Sequence, residues 1–188
     1  MGRDKATLPC GPELMLQRVV RLIGEVVVAE HIILVAAPNH PVPPLPHMVL
    51  IAHDSHEYLG PLAGLATGLR GLAGRVDAVF ATGCDVPLLK PAFVERMFDL
   101  LGDHEAAVPF DGEHYHSLAA VYRPTVLTPI ETLLKAQRLR SRDLFHEIRT
   151  RTVSVEELRD VDSNLSTLEN LNHDRDYQAA LTAAGFAP

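Results

Sequence analysis

Two carboxylates close apolar runs of this chain: Asp54 ends "MVLIAHD" and Asp85 ends "VDAVFATGCD". A carboxylate fixed at such a point suits a hard cation such as Mg²⁺, which takes one or two carboxylates and leaves its other positions to substrate phosphates. Asp85 is the sharper candidate, with Gly83 permitting a tight exit and Pro87 stiffening the chain behind it. Its other use would be to cap the helix that begins near Pro91. At the start of the chain, "MGRDKATL" brings Arg3 and Lys5 together around an acid. Such charges serve either as solvated surface or as cations for a triphosphate. "GPLAG" sets Gly60 and Gly64 around a proline, either a plain turn or a helix entrance whose free N–H groups attract an anion. The histidines of "HDSHE" and "HYH" have spacings that could ligate zinc. Both segments read as loops with no cysteine joining them, so these side chains are read as solvated or substrate-facing.

Composition bounds the partners. The 188 residues make one domain, large enough to bury a core. Acidic residues outnumber Lys plus Arg by 24 to 17, a formal charge of −7. That argues against a polynucleotide, whose phosphates are bound on basic faces, while leaving room for a small anion at one loop. Cys10 and Cys84 form no CxxC pair and read as reduced thiols. No apolar signal region follows the charged first residues, and the apolar runs are far shorter than a membrane span. The expectation is a soluble, cytoplasmic protein.

The elements that must position these residues alternate in type. Residues 12–28 have helical apolar spacing, with Pro12 suited to a first turn. "HIILVAAP" is a continuous run of the kind found in strands buried on both faces. A proline-rich loop follows, then the strand ending at Asp54, a glycine-rich helix from "GPLAGL", the strand ending at Asp85, and a helix over "PAFVERMFDLLG". Strands are expected in "EAAVPF", "HSLAAVYR" and "TRTVSV", and helices over residues 126–138, 144–149 and 174–184. Alternating strands and helices imply an α/β fold with a mostly parallel sheet covered on both faces.

The order "MGRDKATL", "LIAHD", "GPLAGL", "GCDVPLL" and "NLN" along essentially the whole chain resembles the molybdenum cofactor guanylyltransferases (the MobA family). The resemblance implies a Rossmann-like three-layer fold of the glycosyltransferase-A or nucleotidyltransferase type. It also implies a reaction: transfer of GMP from GTP to the phosphate of molybdopterin, with release of pyrophosphate. By motif, Lys5 corresponds to a lysine on the nucleotide phosphates, with Arg3 beside it. Asp54 corresponds to an acid that helps hold the nucleotide, and Asp85 to the Mg²⁺ ligand. Asn170 and Asn172 correspond to paired asparagines on the acceptor side. Implied partners are the two small-molecule substrates, other molybdenum cofactor biosynthesis proteins and recipient molybdoenzymes, with no nucleic acid and no membrane. The alternatives are a sister enzyme using CTP or another phosphorylated acceptor, and a non-catalytic nucleotide-binding relative.

The chain departs from the family pattern at three points. A first strand and "LAGG" loop would precede "MGRDK", so a β-branched run upstream of Met1 is expected. "VAA" stands where an asparagine follows the strand "HIIL", and His173 and Asp174 stand where Thr-Pro follows "NLN".

Overall fold

A computed structural model describes residues 4–38, 40–54 and 60–186. A short turn at Lys5–Thr7 leads into a tight hairpin, β1 (Pro9–Cys10) and β2 (Glu13–Leu14). Helix α1 (Met15–Ile23) follows, then the parallel pair β3 (Ile33–Ala36) and β4 (Leu50–His53), in register from Ile33↔Leu50 to Ala36↔His53. Helix α2 (Pro61–Gly71), strand β5 (Val79–Thr82) and helix α3 (Pro91–Leu101) come next. The second half runs β6 (Ala106–Phe110), β7 (Ala119–Tyr122), α4 (Leu127–Lys135), α5 (Ser141–Glu147), β8 (Thr150–Ser154) and α6 (Asp174–Ala183).

A four-stranded sheet in the order β5-β7-β6-β8 forms the heart of the molecule. β7 is antiparallel to both neighbours, and β6 is parallel to β8. The period of two sorts the side chains by face. Ala106, Val108, Ala120 and Tyr122 meet Leu62 and Leu69 of α2, Ile130 and Leu133 of α4, and Leu144 of α5. Ala107, Ala119, Val121 and Val153 point the other way, onto Phe93, Met97 and Leu101 of α3. Helices therefore cover both faces, and the class is the expected α/β. Among the described strands the sheet is mixed: β7 reverses direction, so its ladders are antiparallel.

Each helix follows its apolar stripe. Met15, Leu16, Val19, Val20 and Leu22 are the buried face of α1, and Phe93, Val94, Met97 and Leu101 that of α3. Two sequence expectations are corrected. Residues 12–14 do not open α1. Pro12 lies in the β1–β2 turn and Glu13 and Leu14 form β2, while Met15 N–H donates to Leu8 O at 2.8 Å, so the helix starts at Met15. β3, expected to be buried on both faces, is only half-buried from Ile33 to Val35: among the described strands it pairs with β4 alone, and its residues line a cavity. Among the described residues, no helix is long and apolar enough to cross a membrane.

Candidate active site

The site forms beyond the carboxyl ends of β3, β4 and β5, where open α/β sheets bind ligands. Lys5 Nζ donates to Asp85 Oδ2 at 2.8 Å and to Asn172 Oδ1 at 3.3 Å. Residues 5, 85 and 172, distant in sequence, thus share one cluster. The Asp85 side chain is 18% exposed and that of Lys5 31%, so the pair is accessible to a ligand. Gly83 is required beside it: a Cβ there would lie 2.7 Å from Asp85 Oδ1. That close approach leaves the carboxylate lying along the strand exit.

The turn that carries Asp85 is pinned from several sides. Arg18 Nε of α1 donates to Pro87 O at 2.7 Å, and Leu171 N–H donates to Asp85 O at 3.2 Å. Lys90 N–H donates to Thr167 Oγ1 at 3.1 Å. Beneath these lies Asp162, with no exposed surface. It accepts from Thr167 N–H at 2.8 Å and Ser166 Oγ at 3.1 Å, and pairs with Lys90 Nζ at 3.1 Å. Burial alone would push its carboxyl up. The bonds from the Thr167 backbone and side chain and from Lys90 outweigh burial and hold it below the usual carboxylate range. Asp162 therefore fastens the Asp85 turn to the segment that delivers Asn172. That segment is anchored in turn by Asp176, which accepts from His173 N–H at 2.8 Å and Asn172 N–H at 3.2 Å.

The opposite wall comes from β3, β4 and α2. Asp54 extends the β3–β4 ladder, its N–H donating to Ala36 O at 3.0 Å. One carboxylate oxygen accepts from Thr67 Oγ1 of α2 at 2.6 Å, and the other faces Gly64. Gly60, at φ +76°, enters α2 in a conformation that favours glycine. Asp4 bridges the two walls. Its Oδ1 accepts from Ala6 N–H at 3.0 Å, and its Oδ2 lies 3.1 Å from His40 Nε2.

Of the residues expected from sequence, Lys5, Asp85 and Asn172 are brought together. Asp54 stands on the β4 side, bonded to Thr67. Asn170 is exposed and makes no hydrogen bond among the described residues. Arg3 lies outside the described residues, as do Ser55, His56 and Glu57 of "HDSHE". His116 Nε2 is 3.0 Å from Asp111, and His53 Nδ1 is 3.3 Å from Ala37 O. Among the described residues, no three His, Cys, Asp or Glu side chains converge as a metal cluster. Burial, ahead of the neighbouring Asp85 and Asp4 charges, pushes the Cys84 thiol up to about 11, so it stays a neutral thiol at pH 7. Asp4, His40, Thr67 and Asp162 are additions that sequence reasoning did not single out. Only Thr67 had a signal, lying three residues beyond Gly64 on the same helix face.

Fold and site together define an α/β protein of the nucleotidyltransferase class. The family model for the MobA-like NTP transferase domain matches residues 1–152, and the chain belongs to that family. The molybdenum cofactor guanylyltransferase of Desulfosudis oleivorans is 30% identical over 183 residues, covering 97% of this chain and 88% of that protein. A probable molybdenum cofactor guanylyltransferase of Mycobacterium tuberculosis is 36% identical over 141 residues, 72% of this chain and 68% of that one. Among solved structures, molybdopterin-guanine dinucleotide biosynthesis protein A from Archaeoglobus fulgidus superposes with a TM-score of 0.77 at 17% identity, covering 98% and 92% of the two chains. At that identity the likeness is one of fold.

Proposed function

We propose that this enzyme transfers GMP from GTP to the phosphate of molybdopterin, forming the guanine dinucleotide and releasing pyrophosphate. The observation that carries the proposal is the convergence of Lys5, Asp85 and Asn172 beyond the strand ends, in a chain whose relatives are named for this activity. In the reaction, an oxygen of the acceptor phosphate forms a bond to the α-phosphorus of GTP. The bond from that phosphorus to the pyrophosphate oxygen breaks, and pyrophosphate leaves with the electron pair. Both reactants are anions, so positioning and charge neutralisation dominate over acid–base chemistry.

The residues present fit a Mg²⁺-bound triphosphate: Asp85 offers one accessible carboxylate, and the phosphates themselves would complete the coordination. Mg²⁺ held there would neutralise the phosphate charge. Lys5, already in contact with Asp85, supplies a second positive charge, with Arg3 next to it in sequence. Asp54 holds the nucleotide from the β4 side, and Asn170 and Asn172 face the acceptor. The Rossmann-like, glycosyltransferase-A arrangement, a cytoplasmic location and partners among cofactor-biosynthesis proteins and recipient molybdoenzymes go with this proposal.

Thermal unfolding with GTP–Mg²⁺ and with CTP–Mg²⁺, followed by turnover with molybdopterin, tests it. The expected result is stabilisation by GTP beyond that by CTP, and one pyrophosphate released per acceptor consumed. Preference for CTP, or binding of GTP without pyrophosphate release, would contradict it.

A further inference from the structure

The Asp85 turn is held carbonyl by carbonyl. Asp85 O accepts from Leu171 N–H at 3.2 Å, and Val86 O from Leu89 N–H at 3.1 Å. Leu88 O lies 3.4 Å from Ser166 Oγ, whose proton already serves Asp162. Pro87 O has the shortest of the four contacts and the only charged donor among them, Arg18 Nε at 2.7 Å. A charged donor makes the stronger bond. Proline has no N–H, so this carbonyl is the one backbone group by which residue 87 can be tied.

Arg18 is itself fixed on its other sides. Its side chain is only 14% exposed, and its Nη1 lies 3.3 Å from Glu13 Oε1. Its guanidinium carbon stands 5.3 Å from the centroid of the Phe186 ring, over the ring face, a cation–π arrangement. Phe186 arrives by a chain reversal: Gly185, at φ +81°, turns the backbone after α6, and Phe186 N–H donates to Leu181 O at 2.8 Å. The ring then lies against Gly11, where a Cβ would come within 2.3 Å of it, so the β1–β2 turn accepts Phe186 because residue 11 is glycine. The Tyr177 hydroxyl of α6 donates to Pro9 O of the same hairpin. α6 thus governs both partners of Lys5. Ahead of its amino end stands Asn172, whose N–H Asp176 holds, and beyond its carboxyl end Phe186 reaches the Asp85 turn through Arg18.

We propose that Arg18 is a positioning residue for Asp85, and that Phe186, seated on Gly11, holds Arg18 in the orientation this requires. The role passes through the Pro87 carbonyl: with the Nε–H in place, residues 85–88 keep one conformation and the Asp85 carboxylate stays aimed at Lys5. The consequence for turnover rests on the transfer reading above, in which Asp85 holds the metal; the positioning of the turn does not.

The test compares the full chain with Arg18→Met, Phe186→Leu and the double variant. Methionine keeps an unbranched stem without donor or charge, leucine keeps apolar cover without a ring face, and Glu13 retains Arg21 at 2.9 Å as a partner. Amide hydrogen exchange is followed without nucleotide or metal at Leu89 and Leu171, with Val121 of β7 as the control. Arg18→Met is expected to speed exchange at Leu89 and Leu171 roughly 10-fold, the loss of one charge-assisted bond, with Val121 unchanged. Phe186→Leu is expected to speed the same two amides about 3-fold, and the double variant to match Arg18→Met alone, because the ring acts through Arg18. In the transfer assay, kcat should fall about 10-fold in Arg18→Met with the KM for GTP within about twofold of wild type, the mark of lost positioning rather than lost binding. Should Arg18→Met fail to fold, Arg18→Lys, which keeps a charge but not the planar fork, takes its place with the same direction expected. Unchanged exchange at Leu89 and Leu171, additive effects in the double variant, or faster exchange with unchanged kcat would each overturn the proposal. A wild type that transfers no GMP sinks the transfer reading instead and leaves exchange to decide here.

Discussion

The closed half of the molecule, the four-stranded sheet, and its open half, the β3–β4 pair, are built to different standards. In β6 and β7, Ala106, Ala107, Val108, Ala120, Val121 and Tyr122 have no exposed surface, and helices close both faces. In β3 and β4 most side chains are only half-buried, and Ile51 is 50% exposed. The closed half is the scaffold, and the open half carries Asp54, which Thr67 of the core-packed helix α2 holds by a hydrogen bond. Lys5 and Asp85 sit at the seam. Core packing and the candidate site are therefore concentrated in different parts of the molecule.

The comparison can be broken by paired core deletions. Ile130→Ala removes a fully buried side chain from the closed half and is expected to cost ~2–5 kcal/mol in urea unfolding. Val35→Ala, on the cavity wall, is expected to cost less than about 1 kcal/mol, since part of its surface already lacks packing partners. Equal losses would show that the two halves are packed alike.

Asp162 sharpens it, because its carboxylate ties the Asp85 turn, through Lys90, to the segment of Ser166 and Thr167 that leads to Asn172. Asp162→Asn leaves its donors badly matched and is expected to cost ~1–3 kcal/mol. The pH dependence has a definite sign. A carboxyl held below its unfolded value contributes stability that is fully present above about pH 4 and is lost as pH falls through the folded value. The difference in stability between wild type and Asp162→Asn should shrink on acidification across that range; a difference independent of pH would contradict the role.

Lys5→Ala is expected to weaken GTP–Mg²⁺ binding about 10–100-fold, the loss of one charge-assisted bond, with the preference for GTP over CTP unchanged. Calorimetric titration with both nucleotides checks this, and altered base preference at unchanged affinity would reassign Lys5. The smallest effect belongs to Asp111, exposed in the β6–β7 connection. Hydrogen bonds from the His114 N–H, then the Glu113 N–H, pull its pKa down to about 2. Carboxyl NMR should show its midpoint near that value, with its contribution to stability lost only as pH falls from about 4 through about 2.

Much of this was legible from the residues. The apolar runs before Asp54 and Asp85 do contain strands, but β4 stops at His53 and β5 already at Thr82, so Asp85 stands on the turn beyond its strand rather than at its end. Helix α3 is announced by Pro91 and closed by Gly102. What periodicity cannot show is which edges of a strand are paired, so "HIILVAAP" looked like a doubly covered strand although its residues 33–36 line a cavity. Nor could Asp162 be found: an acid in "RDVDSNL" looks solvated, and its burial comes from Lys90 and Thr167, contacts created only by the fold. The hairpin at Gly11 overrode the helical spacing ahead of Met15 for the same reason.

The central claim is that the Lys5–Asp85 cluster at the seam is the transfer site, with Asp85 as the metal-holding carboxylate. The direct measurement is the initial rate of GMP transfer from GTP to molybdopterin, in saturating Mg²⁺, for wild type and Asp85→Ala, with circular dichroism confirming equal folding. The expected result is a loss of at least ~10²–10³-fold in turnover with the fold intact, the scale for removing one preorganised electrostatic group. Near-wild-type turnover by a folded Asp85→Ala enzyme would contradict the claim.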